Sequence, residues 1–264
     1  MESYNQRGVR VMLSKQELQT FTELSGFNLW QTEKDYLQHL FLFFLSKEVK
    51  RELVFKGGTA LQKIYGLNRF SIDLDFTSTN NKEEMIVEKI SRNMSDFGFD
   101  TEFSRTEKFK ELSKTIILKI KGPLYDRSEK TLTTLRIEVS SRKDLILKPE
   151  VKEIVPIYSD IRPYLILVMR LEEIAAEKVR AMLWRGKARD VYDLWFLVRK
   201  NVVVDLDLAS KKLSYYKIKF DLKEFEEKLE GVRRSWKSDL EQVSTFVPEF
   251  ENVRKEIVDK IKSR

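Results

Sequence analysis

The chain contains no cysteine, which excludes disulfides, thiolate metal sites and cysteine nucleophiles. It has a single histidine, so a multi-histidine zinc centre is excluded as well. His39 falls inside the apolar run 36–45, where packing is its expected role. No run of about 18 apolar residues occurs, and no membrane span is expected. The opening Met-Glu-Ser-Tyr-Asn-Gln-Arg lacks the charged-then-apolar order of a signal peptide. Together with the missing cysteines, this predicts a cytoplasmic protein. With 5 prolines and 9 glycines in 264 residues, there is no low-complexity linker, and no internal repeat is found. What is present is a chain 42% hydrophobic and 34% charged, the composition of a folded globular protein with one large or two smaller domains. Its net charge of +7 is compatible with a polyanionic partner and equally with a lysine-rich thermophile surface.

Patterning predicts helices first. Ser14 followed by Glu17 at the third position is a capping-box signature, and Leu37, Leu40, Phe41, Phe44 and Leu45 make one stripe of a second helix over about 33–50. A further helix is predicted from Lys82 to Phe97, ended by Gly98. Strand-like runs follow near 100–106, 113–121 and 131–140, and Gly122-Pro123 marks a turn. After Lys148-Pro149 comes a connecting region broken by Pro156 and Pro163. From about Met169 only helices are expected: 170–185, 188–200, 206–215, 222–242 and 249–262. The predicted architecture is α+β, a mixed-sheet domain over 1–160 followed by an all-helical domain over 161–264.

Between the second and third helices lies the stretch around which the rest is organised, from Val54 to Phe76. It reads as a short strand, a glycine turn, a helix and a strand carrying two acids. Asp73 and Asp75, two residues apart on a strand, would share one face, with Ile72, Leu74 and Phe76 on the other. Paired carboxylates suit a hard cation, Mg²⁺ or Mn²⁺. The Gly57-Gly58-Thr59 turn before a helix offers backbone N–H groups and a hydroxyl to a phosphate. Metal carboxylates beside a phosphate cradle point to phosphoryl or nucleotidyl transfer.

Three later polar residues break the apolar pattern. Lys178 sits in the arc formed by Leu171, Ile174, Ala175, Val179 and Met182; it must snorkel outward, pair with a carboxylate, or meet an anionic ligand. Asp190 shares its side with Leu194 and Leu197, where it could pair with Lys178 or Arg189 or accept a proton. Asp193 lies one turn further on. Arg185 and Arg189 are available to phosphates. Glu138 sits mid-strand between Ile137 and Val139, which point to the opposite face, as a third carboxylate for a second metal or as a surface partner of Arg136 or Arg142.

These motifs together resemble the AbiEii-type (MenA-like) nucleotidyltransferase toxins. Phe55-Lys-Gly-Gly-Thr-Ala-Leu and Arg69-Phe-Ser-Ile-Asp-Leu-Asp-Phe76 are similar to that family's first motif. Arg136-Ile-Glu-Val-Ser-Ser-Arg142 is similar to its middle strand, Glu173–Met182 to its lysine helix, and Arg189-Asp-Val-Tyr-Asp-Leu-Trp195 to its Asp-x-x-Asp motif. The resemblance implies a polymerase-β-like nucleotidyltransferase domain followed by a helical domain. It further implies metal-dependent transfer of a nucleotide from an NTP to an acceptor such as a tRNA 3′ end, and a cognate antitoxin. Carried onto this sequence by motif match, Asp73 and Asp75 would hold Mg²⁺ or Mn²⁺, and Gly58 and Thr59 would contact phosphate; Glu138 is expected as the third metal carboxylate, and Lys56, Gly57 and Arg189 complete the expected phosphate-binding set. Lys178 would meet the triphosphate, and Asp190 would take part in the chemistry. Nothing beyond Lys200 matches a motif. Two rivals stand beside this reading: a small-molecule nucleotidyltransferase of the aminoglycoside-modifying kind, and an inactive nucleotide-binding module.

Overall fold

In the computed structural model, residues 12–48, 52–80, 82–109 and 113–263 are described. The capping box forms as expected: Ser14 and Glu17 satisfy each other's backbone N–H at the start of α1 (Lys15–Ser25), and Gly26 closes the helix in the left-handed conformation. The second helix, α2 (Leu29–Glu48), starts four residues before the expected position. Its predicted apolar stripe is buried, with Leu37, Phe41 and Leu45 at its centre.

One mixed sheet of seven strands has the order β3-β4-β5-β2-β1-β7-β6. In chain order these strands are β1 (Leu53–Lys56), β2 (Leu74–Ser78), β3 (Thr101–Phe109), β4 (Ser113–Ile120), β5 (Thr133–Ser140), β6 (Glu150–Ile154) and β7 (Tyr164–Val168). Helix α3 (Gly57–Tyr65) follows β1 without an intervening loop, and α4 (Glu83–Asp96) separates β2 from β3. Alternation decides which face is dry. Leu74, Phe76, Ile137 and Val139 are buried, and Phe76 packs on Phe41 of α2 and Phe55 of β1 with ring centroids 6.5 and 5.3 Å away. Residues 75, 136 and 138 turn to the opposite, wetter face.

The α+β expectation holds, with two corrections. The region read as a connection carries β6 and β7; each is five residues long, too short to register against the prolines beside them. Pro156 and Pro163 lie just outside the strands, where the missing N–H costs no ladder bond. The helix expected over 222–242 is split into α8 (Leu222–Gly231), a 3₁₀ turn and α9 (Trp236–Glu241), because Gly231 weakens the helix where it falls.

The remaining helices are α5 (Leu171–Arg185), α6 (Ala188–Arg199), α7 (Leu206–Ser214) and α10 (Phe250–Lys262). The chain forms two compact units: one of Met1–Ala60, Ile72–Lys143 and Val151–Val168, the other of Leu61–Ser71, Asp144–Glu150 and Met169–Arg264. The helical unit thus includes a segment from the middle of the opening motif. Phe70 N–H donates to the Val243 carbonyl, and the Asn68 carbonyl accepts from Tyr192 and Ser244. Buried His39 packs against Tyr158 and Tyr164 and bonds the Tyr164 hydroxyl at 3.0 Å. Among the described residues, no helix is long and apolar enough to cross a membrane.

Candidate active site

In the sheet unit, β2 pairs parallel with β5 and antiparallel with β1. Asp75 is the register partner of Glu138 on one side and of Lys56 on the other. Residues in register across a sheet project to the same face, so Glu138, Asp75 and Lys56 form one row. Glu138 was expected beside the acidic strand, and this pairing puts it there. Asp73 differs from expectation: β2 begins at Leu74, so Asp73 lies just before the strand instead of on its face. The Gln38 side chain donates to the neighbouring Ile72 carbonyl at 2.9 Å. Buried Lys34 feels the Asp73 charge: burial pulls its pKa below the usual lysine value, and Asp73 pulls against that. Periodicity had not singled out Lys34, because α2 buries a polar layer (Glu33, Lys34, Asp35, Gln38 and His39) as thoroughly as its leucines.

The glycine turn sits against the acids. Gly57 has φ +74°, and a Cβ there would lie 2.2 Å from Asp75 Oδ2. Only glycine serves both demands, since the left-handed conformation penalises a side chain and the carboxylate occupies its space. Gly57 and Gly58 open α3, a helix N-terminus whose first amides have no intrahelical acceptor. Thr59 corrects the expectation. Its side chain is fully buried, and its hydroxyl donates to the Asp73 carbonyl. It fastens the acidic segment to the helix instead of presenting a hydroxyl to a ligand.

Among the described residues, no three His, Cys, Asp or Glu side chains converge as a ligand cluster. The predicted trio is not gathered: Asp73 is off the strand, and Glu138 is turned to Arg136 at 2.9 Å, both partly exposed. The residues still fit Mg²⁺, which takes one or two carboxylates and completes its shell with water and substrate phosphate. Asp75 and Glu138 are hard oxygen donors in one row, with the Asp75 carboxylate lying against the Gly57 backbone in space that a side chain there would fill.

In the helical unit the polar residues make a closed chain of charge. Asp193 takes a bidentate pair from Arg69, 2.7 Å from both Nε and Nη2, and a third bond from Lys178 at 2.7 Å. Lys178 continues to Asp190 at 3.2 Å, and Asp190 takes Arg185 at 2.7 and 2.9 Å. Lys178 is 8% exposed, Asp190 1% and Asp193 0%. Of the alternatives open to Lys178, pairing with carboxylates is the one observed. Burial penalises every charge here, yet the partners prevail: Asp193 and Asp190 raise the Lys178 pKa. Lys178 and Arg185 hold Asp190 well below the usual carboxylate range, and Arg69 and Lys178 do the same for Asp193. An Asp190 so held is a weak proton acceptor; it fixes Lys178 and Arg185 in place. Arg189 is half-buried in the first turn of α6 with no ion pair among the described residues. Arg69 and Asp193 carried motif signals but no assigned role, because the pairing of residues 124 apart leaves no local trace.

Residues 41–256 match the family described as nucleotidyl transferase AbiEii toxin, type IV TA system. Among solved structures, MenT4, a nucleotidyltransferase toxin of Mycobacterium tuberculosis H37Rv, aligns with TM-score 0.68 at 18% identity, covering 94% of this chain and 88% of that one. JHP933 from Helicobacter pylori aligns with TM-score 0.58 at 22% identity, covering 88% and 90%. At such identities these likenesses speak to the fold. No curated protein matches the sequence.

Proposed function

From the premise that this chain belongs to the AbiEii nucleotidyltransferase toxin family, we propose that it transfers a nucleotide from an NTP to an RNA hydroxyl, such as a tRNA 3′ end, with a divalent cation. The observation that carries this reading is the register of Asp75 with Glu138, beside a glycine that admits no side chain at the start of a helix. Asp75 and Glu138, with Asp73, are the residues that would hold Mg²⁺ or Mn²⁺. Such an ion, when bound, neutralises phosphate charge and lowers the pKa of a bound hydroxyl.

The chain's own residues supply the rest. The Gly57 and Gly58 amides, at the positive end of the α3 dipole, bind phosphate oxygens. Thr59 holds the Asp73 backbone, and so sets where the acids stand. Lys56, in line with Asp75, and Arg189 add positive charge for the nucleotide. Lys178, kept protonated by Asp190 and Asp193 within the helical unit, is the cation that the family resemblance assigns to the triphosphate. In the reaction the acceptor oxygen bonds to the α-phosphorus, the bond from that phosphorus to the bridging oxygen breaks, and pyrophosphate leaves. Glu138, on exchanging Arg136, is a carboxylate able to take the acceptor's proton. As a member of a toxin–antitoxin family, the protein is further expected to have an antitoxin partner.

The test is incubation with each labelled NTP, Mg²⁺ and total RNA, with sizing of the product. Label in tRNA-sized RNA that disappears with EDTA and with Asp75→Asn supports the reading. Label only in small molecules would transfer it to the aminoglycoside-type rival, and no label with any acceptor while nucleotide still binds would favour the inactive module.

A further inference from the structure

The helical unit carries a basic feature that extends well beyond Lys178 and Arg189, the two of its residues assigned to the nucleotide. Residues 178–189 and 211–220 contain nine Lys and Arg between them and no acid. Since the whole chain is only +7, everything outside these two short segments is slightly acidic in sum. Lys178, Lys212 and Arg185 are held by carboxylates. Arg180, Lys211, Lys217 and Lys219 have no carboxylate partner among the described residues. Elsewhere on this unit the basic side chains are commonly neutralised: Lys223 by Glu227, Arg233 by Glu230 and Glu251, Arg254 by Glu230, Lys262 by Glu226. A positive surface left unneutralised on a protein with acids to spare needs an anionic partner to explain it.

The two segments meet through aromatic rings. The Arg180 guanidinium lies over the Tyr216 ring at 5.1 Å, with its Nη1 donating to the Tyr216 hydroxyl at 2.6 Å. The Trp184 ring packs against Tyr216 at a centroid distance of 4.8 Å. Arg180 and Trp184 are four residues apart on α5, one turn along the same face. Trp184 is 54% exposed and Tyr215 44%, so a large indole surface faces water at the open end of a cation–ring–ring cluster whose two rings are tilted by 48°. Lys217 follows at once and keeps a left-handed backbone, φ 57°, at the end of α7. Glycine is the usual choice there, yet here a cationic side chain stands at the turn.

Exposed aromatic surface at the end of a ring cluster, edged by lysines and an arginine, is the chemistry of a single-stranded nucleic-acid platform. Bases stack on the exposed indole face while ammonium groups follow the phosphates. We propose that Trp184, Tyr216 and Arg180, with Lys217 and Lys219, form a docking surface for single-stranded RNA. The identification of the occupant as RNA rests on the reading above that the acceptor is RNA. The surface takes its ligand through base faces, so it discriminates little among sequences. An acidic protein would satisfy the lysines but would gain nothing specific from the bare indole.

The experiment is binding of a fluorescent 12-nucleotide oligouridine to the full chain, with poly-glutamate as a competitor lacking bases. Trp184→Ala should weaken binding about ten-fold, the order of one lost base stack, while Trp184→Phe recovers most of it. Lys217→Gly relieves the left-handed backbone, so it should leave the melting temperature unchanged or raised. It should still weaken binding and lower the salt slope by roughly 0.7. Wild-type affinity in Trp184→Ala would overturn the proposal, as would poly-glutamate competing as well as unlabelled oligouridine. The two readings fail separately. Trp184-dependent binding without nucleotide transfer would leave this surface standing and remove the enzymatic reading. Transfer to RNA with Trp184-independent binding would do the reverse.

Discussion

In the sheet unit, Asp75 and Glu138 stand side by side on neighbouring strands, partly open to water, with a glycine backbone pressed against one and a half-exposed arginine on the other. In the helical unit, Asp190 and Asp193 are buried and each holds two cations. The first pair stands where water can compete for its partners; the second is locked in buried ion pairs. The difference follows from solvent. A carboxylate in reach of water can exchange a weak surface partner for a metal or phosphate at little cost, because such pairs contribute only about 0–1 kcal/mol. A buried carboxylate that loses one partner is left as an uncompensated charge, which costs roughly 3–5 kcal/mol. Substitution in the sheet row should therefore remove activity, and substitution in the buried chain should remove stability first.

The sharpest break in that comparison is Asp75→Asn. It should lower nucleotide transfer by at least ~10³-fold, the scale of losing a metal-holding or charge-stabilising group, with urea denaturation nearly unchanged; retained metal-dependent transfer would refute the assignment. Next comes Asp193→Ala, which takes the bidentate carboxylate from buried Arg69 and one of two carboxylates from Lys178. Its unfolding free energy should fall by about 3–5 kcal/mol, read from chemical denaturation, and a loss under 1 kcal/mol would mean the buried chain is not what holds α6 to the 61–71 segment. Gly57→Ala belongs to both sides. It forces a side chain into the left-handed region and onto Asp75, so it should cost more than the ~1–2 kcal/mol of the backbone alone and abolish transfer as well.

Acidity tests the buried chain more gently. The Asp190 and Asp193 pKa values are depressed by folding, so their contribution is present above the unfolded value of ~3.9 and is lost as pH falls through the folded value. The Lys178 pKa is raised, so its contribution is full below ~10.4 and is lost as pH rises through the folded value. The destabilisation by Asp193→Ala should thus be constant between about pH 5 and 9 and shrink in stronger acid, as denaturant midpoints at each pH would report. The smallest effect is expected for Glu138→Gln on stability, within ~1 kcal/mol because its partner is exposed, with a clear drop in transfer; a large stability loss would show that Glu138 is structural.

Much of this was legible in the chain itself. Alternation along 133–140 turned Glu138 away from the core, and the capping box located α1. The lysine amid apolar residues at 178 announced a buried ion pair or an anion. What was misread had physical causes. Asp73 and Asp75 look alike in sequence, but the strand starts between them. Thr59 looks like a phosphate ligand because a hydroxyl after two glycines is one in principle, yet the helix turns it inward to the Asp73 carbonyl. Strands β6 and β7 are too short for their period to stand out beside prolines.

The sequence by itself determined the inventory: two acids and a glycine turn within twenty residues, a lysine where no lysine should be, and later acids one helical turn apart. Those are local facts, set by the 2-residue and 3.6-residue periods along which side chains repeat. Only the tertiary structure decided which acid stands beside Glu138, which hydroxyl is hidden, and that Arg69, four residues before Asp73, belongs to the helical unit and is claimed there by Asp193. Partners 124 residues apart are chosen by burial, since an ion taken from water keeps its charge only where the fold brings its counter-ion.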